Sequence, residues 1–142
     1  MTKQRKTLKV RIPPYQPPRN KWRRSIILQI EKAAASRAIT YRSMDQLELI
    51  VTLYMTTDEI AWHDVDNRLK DIMDALQGRA GGSKANKILT AVVPNDHQIH
   101  KVTIEKRTAP RQSHGWGHLI ILKYQESANK RLHRIADKPG SR

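Results

Sequence analysis

Leu8, Val10 and Ile12 alternate with Lys9 and Arg11, and Pro13-Pro14 follow. A period of two is the spacing of a strand, and proline, which donates no ladder hydrogen bond, ends it. After a Pro-rich connector the period changes. Trp22, Ile26, Ile27, Ile30, Ala33 and Ala34 share one side of a helix expected from Lys21 to about Arg37, with Asn20 as its N-cap. The segment "QLELIVTLYM" returns to period two. Leu47, Leu49, Val51, Leu53 and Met55 share one face, while Ile50 and Tyr54 sit on the other, so this strand is expected to be covered at least in part on both sides. Leu69, Ile72, Met73 and Leu76 mark the buried stripe of a second helix, expected to start near Asp66 and to end at Gly78. "ILTAVV", stopped by Pro94, then "IHKVTIEKR" and "GHLIILKY" read as three more strands. The order β-α-β-α-β-β-β predicts an α+β fold: a mixed β-sheet with two main helices packed on it.

Length adds that the 142 residues form one domain, with a polar, basic tail from about residue 125. No run of eighteen apolar residues suggests a membrane span, and no apolar stretch of signal-peptide length follows the basic N-terminus. With no cysteine, disulfides, thiolate zinc sites and Cys nucleophiles are excluded, which fits an intracellular protein.

Charge adds a partner. Lys and Arg total 27 against 13 Asp and Glu, a formal net charge of +14, and the first 24 residues hold nine basic residues and no acid. Such a field attracts polyanions, and contacts to phosphates release counterions, so nucleic acid is the expected partner.

Against that background, "HDVDNRLKDIMDAL" (63–76) concentrates four aspartates. Asp66 at the expected helix start would cap orphan amides and oppose the helix dipole. Asp64, two residues earlier in an extended lead-in, points to the same side. Two carboxylates so close repel unless a cation or a proton is shared between them, and a hard divalent ion relieves that repulsion. Asp66, Lys70 and Asp74 run down one flank at spacing four, either as an ion-pair ladder or with Lys70 set to meet a phosphate. Asn67 has the chemistry to donate to a phosphate or to brace a metal ligand. Asp71 lies further round and is expected to be solvated. Asp96, in the turn after Pro94, has turn chemistry when taken alone, but beside Asp64 and Asp66 it would complete a three-carboxylate site.

The spacing of these residues resembles the RusA family of Holliday junction resolvases, small endodeoxyribonucleases of phages and prophages. That family's D-x-D-N-x-x-K-x-x-x-D-A-L pattern is met by Asp64, Asp66, Asn67, Lys70, Asp74, Ala75 and Leu76, and its second block by Asp96, Gln98 and Ile99. The resemblance covers about Val51 to Lys106. It implies a dimer, a bacterial cytoplasmic setting, and Mg²⁺-dependent symmetric cleavage of four-way DNA junctions in recombination and repair, with Mn²⁺ as an alternative ion. It also implies catalytic, metal-binding aspartates at Asp64, Asp66 and Asp96 and an essential lysine at Lys70. Two departures stand out: Asn95 occupies a position where many relatives have Asp, and a Gly-rich basic stretch lengthens the spacing between the blocks.

On this reading the aspartates hold a cation that activates water and binds the scissile phosphate, and Lys70 neutralises charge that develops on it. Asn67, Arg68, Arg79, Lys84 and Lys87 are candidate DNA contacts. His63 and His97 are expected to be bystanders, and a zinc site of His63, His97 and His100 is a weaker alternative. Trp22 and Tyr15, near the basic N-terminus, are candidates to wedge or stack on unpaired bases, though the helical spacing of Trp22 points to the core. "ILTAVV" is a candidate dimer contact. The competing functions are a nuclease of looser specificity for flaps or other branched DNA, and a non-enzymatic basic DNA-binding protein.

Overall fold

The computed structural model describes residues 7–80, 92–110 and 114–125. Expectations that fall on Lys84, Lys87, most of "ILTAVV" and the tail beyond 125 lie outside the described residues.

The alternating residues of "LKVRI" form β1 (Leu8–Ile12), with Leu8, Val10 and Ile12 buried and Lys9 and Arg11 exposed. The first amphipathic segment forms α1 (Arg19–Arg37) and buries Trp22, Ile26, Ile27 and Ile30. It starts two residues before Lys21: the Pro18 carbonyl accepts from Lys21 N at 2.9 Å, which makes Pro18 the N-cap and puts Asn20 inside the first turn. β2 (Leu47–Met55), β3 (Ile99–Thr108) and β4 (Gly117–Lys123) follow the expected alternations. Val92 and Val93, at the end of "ILTAVV", are in a bend rather than a strand, and both amides reach the Leu76 carbonyl at 3.1 Å.

Among the described residues these elements build an α+β fold: a four-stranded mixed sheet in the order β1-β4-β2-β3, with three helices. β4 is antiparallel to β1 and β2, and β3 is parallel to β2, with Leu47 beside Ile99 and Met55 beside Thr108. Gly117 starts β4 where a Cβ would collide with the Thr52 carbonyl oxygen. The core lies on one face of the sheet. Leu8, Val10, Ile12, Leu47, Leu49, Val51, Leu119 and Ile121 pack there against Trp22, Ile26 and Ile30 of α1 and Ile72 and Leu76 of α3. On the other face, Ile50 and Tyr54 are only half-buried. Among the described residues no helix is long and apolar enough to cross a membrane.

The β2–β3 crossover holds two helices where one was expected. A capping box starts α2 (Thr57–Trp62): Thr56 Oγ1 accepts from Glu59 N at 3.2 Å, and Glu59 Oε1 accepts from Thr56 N at 2.9 Å. α3 (Val65–Leu76) then begins one residue earlier than expected, with Asp64 as its N-cap residue. Gly78, at φ +74°, closes α3. Its amide donates to Ala75 O at 2.9 Å and Arg79 N donates to Asp74 O at 2.9 Å, the paired bonds of a Schellman ending. The buried side of α3 is also rotated from the expected stripe. Arg68, Asp71, Ile72, Ala75 and Leu76 are buried, while Leu69 and Met73 are only half-buried. The rotation follows from the basic first turns of α1, which lie against α3 and meet its acids.

Candidate functional site

Asp71, expected to be solvated, is fully buried in the seam between α1 and α3. Its Oδ1 accepts from Arg19 Nε at 3.0 Å and Arg23 Nε at 2.9 Å, and Arg68 Nη2 lies 3.4 Å from its Oδ2. Arg23 also reaches Asp74 Oδ2 through Nη2 at 3.1 Å. So Asp74 serves α1–α3 packing instead of a ladder with Lys70. Arg68, a candidate DNA contact, is buried as well. Its guanidinium stands 4.1 Å from the centroid of the Tyr15 ring and 5.6 Å from that of Trp22. The cause is the Asp71 carboxylate one turn along, which draws Arg68 into the seam, where the two aromatic faces cover it. Arg79 is half-buried, and its Nε is covered without a hydrogen bond. Trp22 is in the core as expected. Tyr15 packs edge-on against both Trp22, at 5.2 Å, and His63, at 4.8 Å.

Asp64, Asp66, Asn67 and Lys70 remain exposed at the N-terminal end of α3. Asp64 takes the capping position by backbone alone: its carbonyl accepts from Arg68 N at 3.2 Å, but its carboxylate makes no capping hydrogen bond. Among the described residues the one side-chain partner of Asp64 is Asn67, whose Nδ2 donates to Oδ2 at 3.4 Å. Asp66 stands in the first helical turn rather than at the cap, and it forms no ion pair with any described residue. Lys70, one turn further along, is likewise without an ion pair among the described residues. Two hard-oxygen ligands with free lone pairs suit Mg²⁺, which is commonly held by one or two carboxylates together with waters and substrate phosphates.

The backbone under this acid pair is fixed from β3. Lys106 Nζ donates to the Ile60 and His63 carbonyls, both at 2.6 Å, and so ties the end of α2 and the residue before Asp64 to the sheet. Sequence reasoning missed this lysine. Sequence did carry a signal for α2, the T-x-x-E spacing of Thr56 and Glu59. Burial, the Arg68 guanidinium and the Lys106 ammonium hold the His63 imidazole below its ordinary value, with Glu59 opposing them. His63 is therefore a neutral packing partner of Tyr15 near pH 7.

Asp96 lies elsewhere. It opens a single 3-10 turn (Asp96–Gln98) that Asn95 caps, Asn95 Oδ1 accepting from His97 N at 3.0 Å. Buried Gln98 ties this turn to the loop before β2: its Nε2 donates to the Arg42 and Asp45 carbonyls, both at 2.8 Å. The turn is thus at the start of β2 and β3 and beside the C-terminal end of α3, where Val92 and Val93 bind Leu76. The acid pair is at the other end of all three elements. α3 has 12 residues, about 18 Å at ~1.5 Å per residue. From Ile99 to Lys106, β3 covers roughly 23 Å at ~3.3 Å per residue. Within one chain Asp64 and Asp66 stand at one end of these elements and Asp96 at the other. Among the described residues no three His, Cys, Asp or Glu side chains gather to hold a metal ion, and His63, His97 and His100 are no exception. Comparison with known proteins finds no family model and no curated protein that matches this chain.

Proposed function

We propose that this chain is a metal-dependent endodeoxyribonuclease of the RusA type that cuts four-way DNA junctions by phosphodiester hydrolysis. The observation that carries the reading is the exposed Asp64/Asp66 pair, whose carboxylates are spared from capping in a chain of net charge +14. In any protein Asp66, in the first turn of α3, opposes the helix dipole, but Asp64 makes no capping bond with its side chain, and without a cation the two acids repel phosphate.

Bound Mg²⁺ would supply an activated water and neutralise the phosphate oxygens. The protein's own part is positional and electrostatic. Asp64 and Asp66 present oxygens at a fixed helix end, Asn67 orients the Asp64 carboxylate, and Lys106 holds the backbone beneath them. Lys70, four residues beyond Asp66 and so on the same flank, meets charge developing on the phosphate. Asp96, at the opposite end of its own chain, enters this reading through a second copy. A four-way junction also calls for two sites in fixed relation, which a two-fold dimer supplies.

The test is cleavage of a mobile four-way junction, a flap and a linear duplex of equal length, with and without Mg²⁺, by the native protein and by Asp64→Asn. Junction-selective, Mg²⁺-dependent cleavage that collapses in Asp64→Asn while junction binding persists is expected. Equal cutting of all three substrates would favour the looser nuclease. Cutting that survives Asp64→Asn would remove the assignment of that carboxylate.

A further inference from the structure

We infer that Trp62 is a stacking platform for a nucleobase freed at a DNA branch, a role that rests on the function proposed above and gives it a source of preference for branched DNA. The chain has three Trp, four Tyr and no Phe. Six of these seven rings are occupied by the fold. Trp22 and Tyr41 are in the core, and Tyr15 packs against Trp22 and His63. Tyr54 meets His118 edge-on at 5.6 Å, and Tyr124 lies 5.3 Å from His100. Trp116 sits under the Arg11 guanidinium at 5.1 Å. Trp62 is different. It is 84% exposed, and among the described residues its indole makes no ring contact or hydrogen bond. Packing has thus taken Tyr15 and Trp22, and the free aromatic face stands at another position.

The backbone that carries this indole is fixed on both sides. Lys106 Nζ holds the Ile60 and His63 carbonyls, His63 N donates to Glu59 O at 3.0 Å, and the His63 ring meets Tyr15. Only the two side-chain torsions of Trp62 remain to be ordered on binding, a low entropic cost for a large flat contact. Position ties the ring to the acid pair. Trp62 ends α2, and Asp64 follows after one extended residue, His63, at φ −92° and ψ 127°. Two residues of chain span at most about 7 Å. That is about two base steps at ~3.4 Å per step along one strand.

The surroundings favour a base over an apolar partner. The other exposed large apolar side chains, Leu28 and Met44, lie on α1 and in the loop before β2, so no apolar patch surrounds Trp62 of the kind that marks a protein interface. The acids of α2, Asp58 and Glu59, are in its first turn, and Glu59 is held by the Thr56 amide. A lone indole on a chain of net charge +14 suits nucleic acid: every base has a π-face to stack, while basic side chains track the backbone. In a linear duplex both faces of each base are covered. Where the arms of a junction part, a base has lost a stacking neighbour, and exposing its face costs least.

The experiment reads binding without Mg²⁺ and without cleavage, so its failure and that of the proposed nuclease are separable. The probes are a four-way junction with 2-aminopurine beside the branch and a linear duplex of equal length with the same base at its centre. The native chain should change the 2-aminopurine fluorescence of the junction and leave that of the duplex unaltered. Trp62→Ala should abolish the change and weaken junction binding about tenfold, the loss of one stacked base, with duplex affinity unaltered. Trp62→Phe should keep most of both signals, and Trp62→Leu, apolar but without a π-face, should behave as Trp62→Ala. Junction binding by Trp62→Ala at native strength would overturn the proposal, as would an equal loss on duplex or full function in Trp62→Leu. A lower sedimentation mass for Trp62→Ala than for the native chain would show that a second copy covers the indole, and would overturn it too.

Discussion

Asp71→Asn is the perturbation whose cost the structure sets most directly. The native carboxylate is fully buried with Arg19, Arg23 and Arg68 around it, and the side chains of Arg23 and Arg68 are 11% and 8% exposed. Only Arg19, at 42%, can turn to water. With Asp74 included, three guanidiniums face two carboxylates. The substitution leaves them facing one, half-buried at the rim. Nε and Nη1 of Arg68 are already buried without a hydrogen bond, so no spare acceptor stands ready for it. Removing one partner of a buried ion pair costs about 3–5 kcal/mol, a large share of the ~5–15 kcal/mol that holds a domain together. Urea unfolding followed by far-UV circular dichroism checks this. At ~2 kcal/mol per molar urea, the midpoint should fall by about 2 M. Asp66→Asn, on the same helix but exposed, should move stability by no more than about 0.5 kcal/mol. If Asp71→Asn costs less than about 1 kcal/mol, the seam is not held by this carboxylate, and the burial of Arg68 needs another cause.

Three further outcomes are expected. Ala38 adopts φ +51° to end α1, with Ile39 N bonded to Ala34 O at 3.0 Å, a conformation that costs a non-glycine residue about 1 kcal/mol; Ala38→Gly should therefore raise the thermal midpoint by a few degrees. Lys106→Met leaves the Ile60 and His63 carbonyls without their charged donor and should cost about 3 kcal/mol of stability. It should also lower junction cleavage at least tenfold, with junction affinity nearly unchanged and partial rescue by Lys106→Arg. Finally, Asp64→Asn and Asp96→Asn chains should each be inactive alone, but refolded together at equal amounts they should regain about a quarter of native nicking, because half the dimers then hold one intact site of two. No regain would place Asp96 outside the partner's site.

Much of the fold was legible because it rests on apolar periodicity. β1, β2, β3 and β4 follow alternation, and α1 follows Trp22, Ile26, Ile27 and Ile30. α2 escaped because Ile60 and Trp62 make no stripe; only its Thr56/Glu59 cap marks it. The face of α3 was misjudged for a different reason. Apolar spacing alone puts Asp71 outside, but two of the three guanidiniums that make its burial tolerable, those of Arg19 and Arg23, are 52 and 48 residues away along the chain. No local pattern carries that pairing. The same holds for Asp96. Its neighbours suggest a turn, and a turn it is, but its distance from Asp64 depends on β3 running parallel to β2, which strand periodicity does not encode.

The crowding of acids between His63 and Leu76 resolves into two kinds of residue. Asp71 and Asp74 have cations supplied by the fold: Arg19, Arg23 and Arg68 for the first, Arg23 for the second. Ala75 and Leu76 belong to the core, and Gln98 of the later block braces a turn. Each of these would be kept in a protein that never touched a metal. Asp64, Asp66 and Lys70 carry no ion pair among the described residues, and Asn67 donates to Asp64 at 3.4 Å. On the proposed function, an acid pair that no described basic side chain meets, in a chain of net charge +14, takes its counter-charge from a bound cation. The exposed end of α3 leaves room for that charge.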